Sequence, residues 1–255
     1  MKRILLLCAA FVLFATSAAA QKDQKEKPWT EWNEKEVMKV LSDSAWAQSQ
    51  KELTDSAGSG GSAITSAAQN GNSANAVMSD SAKANSESGM SVGQKNVTLN
   101  LIYNVSFLTA KPVRAATIRL AELKHPDTPA ERAAEMRTFV DKDFGDYIVV
   151  TLKMDGTDRK RLVPITQSLS GAKMETFKDV VYLERKDGKR VALMNYFAPG
   201  PDRLGAKFVF PRTLDGQPFL DANSGEVRVY MEINKTKVSR KFKVADMMYD
   251  GKLEY

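Results

Sequence analysis

The sequence predicts an α+β protein: an antiparallel β-sandwich or curled sheet with two packed helices, preceded by a small tryptophan-bearing helical segment on a flexible linker. Three observations carry that prediction. Val227, Val229, Met231 and Ile233 alternate with Glu226, Arg228, Tyr230 and Glu232, the pattern of a strand with one buried and one wet face. Asp187-Gly188 sits between two β-type runs, where glycine accepts the positive φ of a tight hairpin. Between residues 54 and 95 the chain is dominated by Ser, Ala, Gly and Asn, with too little apolar surface to offset its ordering entropy.

The elements follow in chain order. Lys2 and Arg3, the apolar run Ile4–Ala15 and the small residues Ala18-Ala19-Ala20 read as a secretory signal over residues 1–20. The run is too short to span a bilayer, which needs about twenty apolar residues. Its removal takes away Cys8, the only cysteine, so the remainder has no disulfide, thiolate nucleophile or cysteine metal ligand. It also leaves 35 basic and 31 acidic side chains, too small an excess to argue nucleic acid.

Residues 21–53 hold all three tryptophans, Trp29, Trp32 and Trp46. Asn33 and Glu36 have capping-box spacing, and Val37, Val40 and Leu41 share a helical face. Ser44 is placed to cap a second short helix through Trp46 to Leu53. The three indoles are the candidate partner-binding anchors of this segment.

Residues 96–255 carry the periodicity of a folded domain. An extended, nearly uncharged run covers 97–108. Pro112 then suits the first turn of a helix over 112–123, with Val113, Ala116, Leu120 and Leu123 on one stripe. Thr128-Pro129-Ala130-Glu131 has the form of a capping box opening a helix over 129–142. From Tyr147 onward the pattern is of strands and turns: 147–153, a hairpin of 180–184 with 190–197, then 206–210, 226–233 and 237–244.

Catalytic motifs do not accumulate. The single histidine, His125, lies between two predicted helices and is too few for a His-based zinc site. Gly89-Met90-Ser91-Val92-Gly93 matches G-x-S-x-G but ends a Ser/Gly tract with no strand ahead of it. Ser170-Gly171-Ala172-Lys173 matches S-x-x-K without its companion elements, and reads as a loop between two β segments. Asp141, Asp143 and Asp146 cluster at a helix end but lack EF-hand length and a closing glutamate. No metal or cofactor is called for.

Charge is uneven. Residues 96–255 hold 27 Lys and Arg against 21 acids, and Lys235, Lys237, Arg240, Lys241 and Lys243 form the densest basic surface. It suits a polyanion, although lysine on an edge strand also discourages aggregation. Taken together, these features imply an exported, non-catalytic binding or assembly protein of the cell envelope or extracellular space, with a protein or envelope component as partner. Two other readings stay open: an exported hydrolase using carboxylates or Ser170, and a structural subunit that pairs through the 97–108 strand.

Overall fold

The computed structural model describes residues 27–55, 63–65 and 98–255. The segment expected to be a signal and most of the Ser/Gly/Ala tract, with its G-x-S-x-G match, lie outside the described residues. Helix α1 (Glu34–Ser42) opens on a complete capping box: the Asn33 side chain accepts from the Glu36 amide, and the Glu36 carboxylate accepts from the Asn33 amide. Strands β1 (Ala47–Asp55), β2 (Ala63–Thr65) and β3 (Thr98–Phe107) follow, then α2 (Lys111–Lys124), α3 (Ala130–Thr138) and β4 (Tyr147–Gly156). After α4 (Arg159–Gly171) and α5 (Met174–Phe177) come β5 (Val181–Arg185), β6 (Arg190–Ala192), β7 (Asn195–Phe197) and β8 (Ala206–Pro211). The chain closes with the ladder β9 (Thr213–Leu214) and β10 (Gln217–Pro218), the long hairpin β11 (Glu226–Ile233) and β12 (Thr236–Lys243), and the ladder β13 (Met248–Tyr249) and β14 (Lys252–Leu253).

Two antiparallel sheets make the sandwich-like body. The larger runs in the order β2-β1-β3-β4-β8-β7 and the smaller in the order β12-β11-β5-β6. Their inner faces share one core: Leu101, Tyr103, Val105 and Phe107 from β3 meet Val227, Val229, Met231 and Phe242 from the hairpin. Phe107 and Phe242 stack edge to face at 5.0 Å, a favoured aromatic geometry. Helices α4 and α5 add Leu162, Ile165, Leu169 and Phe177 to this core.

The sandwich is joined along both sides. On one, the chain leaves β6 and crosses to the other sheet as β7, with the Met194 amide donating to the Val209 carbonyl at 2.8 Å. On the other, β1 presents side chains to the free edge of β12. Gln50 Nε2 donates to the Lys237 carbonyl at 2.9 Å, Gln50 Oε1 accepts from the Ser239 amide at 3.2 Å, and Gln48 Nε2 donates to the Lys241 carbonyl at 2.7 Å. Three of the backbone groups that an edge strand leaves open are thereby paired within the chain.

Several expectations need correction. Residues 44–53 do not form a second helix, because Ala47–Asp55 is strand β1, paired with β3 along its whole length. Its inward side chains are polar, Gln48 and Gln50 bonding across the seam and Glu52 pairing with Arg161 of α4, so the apolar alternation of a strand is missing. Ala63–Thr65, inside the low-complexity tract, pairs with β1. Thr128 does not cap α3; its hydroxyl donates to the His125 carbonyl, and Pro129 occupies the N-cap. The single strand expected over 190–197 is split between the two sheets. Ser170-Gly171 belongs to the last turn of α4 rather than to a loop. Finally, β3 is paired on both sides, by β1 and β4, so the 97–108 run has no free edge over its paired length to offer another chain.

Candidate functional site

The alternation that buries Val227, Val229, Met231 and Ile233 aims their neighbours outward from the smaller sheet. The helices pack elsewhere, α1 and α2 against each other and α4 against β4, so among the described residues no helix covers this outer face. Register sets its rows. Lys241, Arg228, Glu184 and Arg190 stand abreast on β12, β11, β5 and β6; Ser239, Tyr230, Tyr182 and Ala192 form the next row. Lys243 faces Glu226 and Lys237 faces Glu232 at the two ends.

Tyr182 and Tyr230 stack face to face, with centroids 4.9 Å apart and planes 17° from parallel. The Arg190 guanidinium covers the far face of Tyr182 at 4.3 Å, a cation–π contact. Glu184 accepts from Arg190 Nε at 2.7 Å and also from Arg228. The Arg190 hydrogen bond, reinforced by Arg228, holds the Glu184 carboxyl below the usual carboxylate range. Lys241 lies 3.8 Å from Glu226, a loose and exposed pairing. A shallow cavity of about 260 Å³ opens at one end, lined by Arg185, Lys186, Gly188, Glu226, Arg228 and Lys241 among others. The face thus carries five cations, Lys237, Lys241, Lys243, Arg228 and Arg190, among three carboxylates, Glu184, Glu226 and Glu232.

Of the basic residues singled out in the sequence, Lys237, Lys241 and Lys243 lie on this face and Lys235 sits in the hairpin turn with φ of 67°. Arg240 does not join them. It points inward beside Val238 and Phe242, is 8% exposed, and donates to the Ser49 carbonyl across the seam. Burial pulls its pKa below the ordinary arginine value.

The three tryptophans rest on their own chain. Trp29 and Trp32 pack against the cluster of Ala115, Ile118 and Val140. Trp32 Nε1 donates to the Lys27 carbonyl at 3.1 Å. Trp46 meets the ring of Tyr249 edge-on at 6.2 Å, and its Nε1 donates to the Glu254 carbonyl at 2.9 Å.

A second cleft, of about 440 Å³, lies at the start of α2 and includes Lys111, Arg114, Lys142, Arg212, Glu254 and Tyr255 in its lining. Its cations are already engaged. Arg114 donates to the carbonyls of Val140, Leu108 and Thr109, Lys111 pairs with Asp141 at 2.8 Å, and Arg212 donates to Tyr147 and Tyr255 carbonyl oxygens. Lys142 lies over Phe144 at 5.4 Å.

Ser170 Oγ donates to the Thr166 carbonyl at 3.0 Å, as an ordinary helical serine does. Among the described residues, no three His, Cys, Asp or Glu side chains converge as a metal site. Nor is any described helix long and apolar enough to cross a membrane.

No protein-family model matches the chain, and no curated protein does. Among solved structures, it is similar to a protein of unknown function from Burkholderia pseudomallei, with 11% identity, a TM-score of 0.37, and coverage of 55% of this chain and 74% of that one.

Tyr182, Arg190 and the pairing of Glu184 with Arg228 were not singled out from the sequence as site residues. The signal was present: Tyr182 lies between Val181 and Leu183 as Tyr230 lies between Val229 and Met231. What the sequence withheld was the register that sets the two rings side by side.

Proposed function

We propose that this chain is an exported, non-catalytic binding or assembly protein of the cell envelope or extracellular space, and that it engages an anionic partner through the outer face of the smaller sheet. The observation that carries this reading is the stacked Tyr182–Tyr230 pair set among five cations on a sheet face that the helices leave open. Opposite potentials attract and orient such a partner, and rigid tyrosines supply contact area at low entropic cost. The amino-terminal signal pattern of residues 1–20 supports export.

The test is binding of the protein lacking residues 1–20 to polygalacturonate and to inorganic polyphosphate, with neutral dextran as control. Binding to a polyanion that weakens with salt, and is lost in the Lys237→Glu/Lys241→Glu/Lys243→Glu variant, supports the reading. Absence of binding to either polyanion overturns it. N-terminal sequencing of the protein recovered from the exported fraction of its producing cell tests the compartment, with Gln21 expected as the first residue.

A further inference from the structure

Resting on that reading, we infer that Tyr230 is a stacking platform for a pyranose ring of an acidic polysaccharide, seated over Ser239 between Lys237 and Lys241. The row across the sheet runs Ala192, Tyr182, Tyr230, Ser239, and Arg190 reaches over Tyr182 from the row beside it. Arg190 covers one face of Tyr182, and Tyr230 covers the other. Among the described residues, no ring or cation lies on the remaining face of Tyr230. The residue standing beside that face is Ser239, whose side chain is too small to cover a phenol ring. Backbone geometry sharpens the point. The Ser239 amide turns away from β11 toward Gln50, which makes Ser239 and Tyr230 a non-hydrogen-bonded pair, the kind whose side chains lie closest. A large residue at 239 would complete the stack; serine leaves it one ring short.

The surroundings select the ligand. Lys237 and Lys241 flank Ser239 at two residues on either side, on the same face and about 14 Å apart along the strand. They are placed to meet two separated carboxylates of one polymer chain, while the flat C–H face of a sugar lies on Tyr230. Glu184, Glu226 and Glu232 are interleaved with the cations. These carboxylates accept hydrogen bonds from sugar hydroxyls, and they repel a backbone as densely charged as polyphosphate. A polyuronate has both the spaced carboxylates and the hydroxyls that this arrangement needs.

The experiment compares polygalacturonate with inorganic polyphosphate on the protein lacking residues 1–20 and on two variants, Tyr230→Ala and Ser239→Tyr. The first removes the platform, and the second covers it with the protein's own ring. Circular dichroism verifies that each variant is folded, and having two protects the test against either one failing to fold. Each variant is expected to bind polygalacturonate about fivefold more weakly, the scale of one lost aromatic contact, with any polyphosphate binding unchanged. Polygalacturonate binding that survives both substitutions at full strength overturns the inference while leaving the anionic sheet face in place. Binding of polyphosphate alone has the same consequence. Binding of neither polymer overturns the inference together with the reading it rests on.

Discussion

Ser239 donates its amide to Oε1 of Gln50 at 3.2 Å across 189 residues of chain, and the same Gln50 side chain gives Nε2 to the Lys237 carbonyl at 2.9 Å. One carboxamide therefore stands in for a neighbouring strand, pairing both a donor and an acceptor of the β12 edge. Gln50 is 5% exposed, so both of these bonds are made by a buried carboxamide.

Gln50→Ala is expected to cost about 1–3 kcal/mol, the range for a buried donor and acceptor left unpaired. Urea denaturation followed by far-ultraviolet circular dichroism measures it. Lys51→Ala, an exposed change on the same strand, should stay within about 0.5 kcal/mol.

Phe242 is fully buried and carries the edge-to-face contact with Phe107 that bridges the sheets. Phe242→Ala is expected to cost about 3–5 kcal/mol, and Phe242→Leu clearly less. Chemical denaturation midpoints for the two variants give the ranking.

Gly205 has φ of +85°, and a methyl added there would lie 2.3 Å from the Leu152 carbonyl oxygen. Gly145, with φ of +54°, has nothing within 4 Å of that position. Gly205→Ala should lower the melting temperature far more than Gly145→Ala, whose cost is the backbone term of about 1 kcal/mol. Equal losses would show that the β4–β8 approach yields enough to admit a methyl group.

Tyr196 buries its hydroxyl against the Leu169 carbonyl at 2.5 Å, and burial pushes its pKa up to about 12. The folded value thus exceeds the unfolded value of about 10. The associated stability is fully present below pH of about 10 and is lost as pH rises toward about 12. Burial also raises the Tyr103 hydroxyl, so tyrosinate absorbance should show a late-titrating phase that Tyr196→Phe diminishes without abolishing, and alkaline unfolding should become less steep in that window.

Tryptophan emission reports on residues 29–46 alone. With Trp29, Trp32 and Trp46 all packed on the domain, the emission should be blue-shifted and resist acrylamide. Its denaturation curve should coincide with that of the β-sheet signal. A separate, earlier transition would show the amino-terminal segment melting on its own.

Elements whose residues answer to local rules were readable beforehand. The Asn33/Glu36 box, Pro112 at the start of α2, the Asp187-Gly188 turn and the alternation in β11 each have a cause within a few residues. Strand β1 did not, because Gln48, Gln50 and Glu52 face inward for the sake of partners more than a hundred residues away. Helix α4 was hidden by Pro164 within it and by the cluster Arg159-Lys160-Arg161, although Asp158 caps it and Leu162, Ile165 and Leu169 share its buried face. In the candidate site, the cations and Tyr230 were visible as wet positions. Arg240 has the same charge and the opposite orientation, and only the parity of β12 separates it from Lys241.

The seam between β1 and β12 also sets the order in which the molecule can be finished. A chain made or threaded amino terminus first has its fifth-decade residues ready long before residues 237–241 arrive. Until then Gln48 and Gln50 have no edge to bind, and β1 can pair only with β2 and β3. Closure therefore waits for the last hairpin, and such distant pairings form slowly. Through that interval the half-built sandwich has its apolar inner face open, which is the period when a holding chaperone matters most.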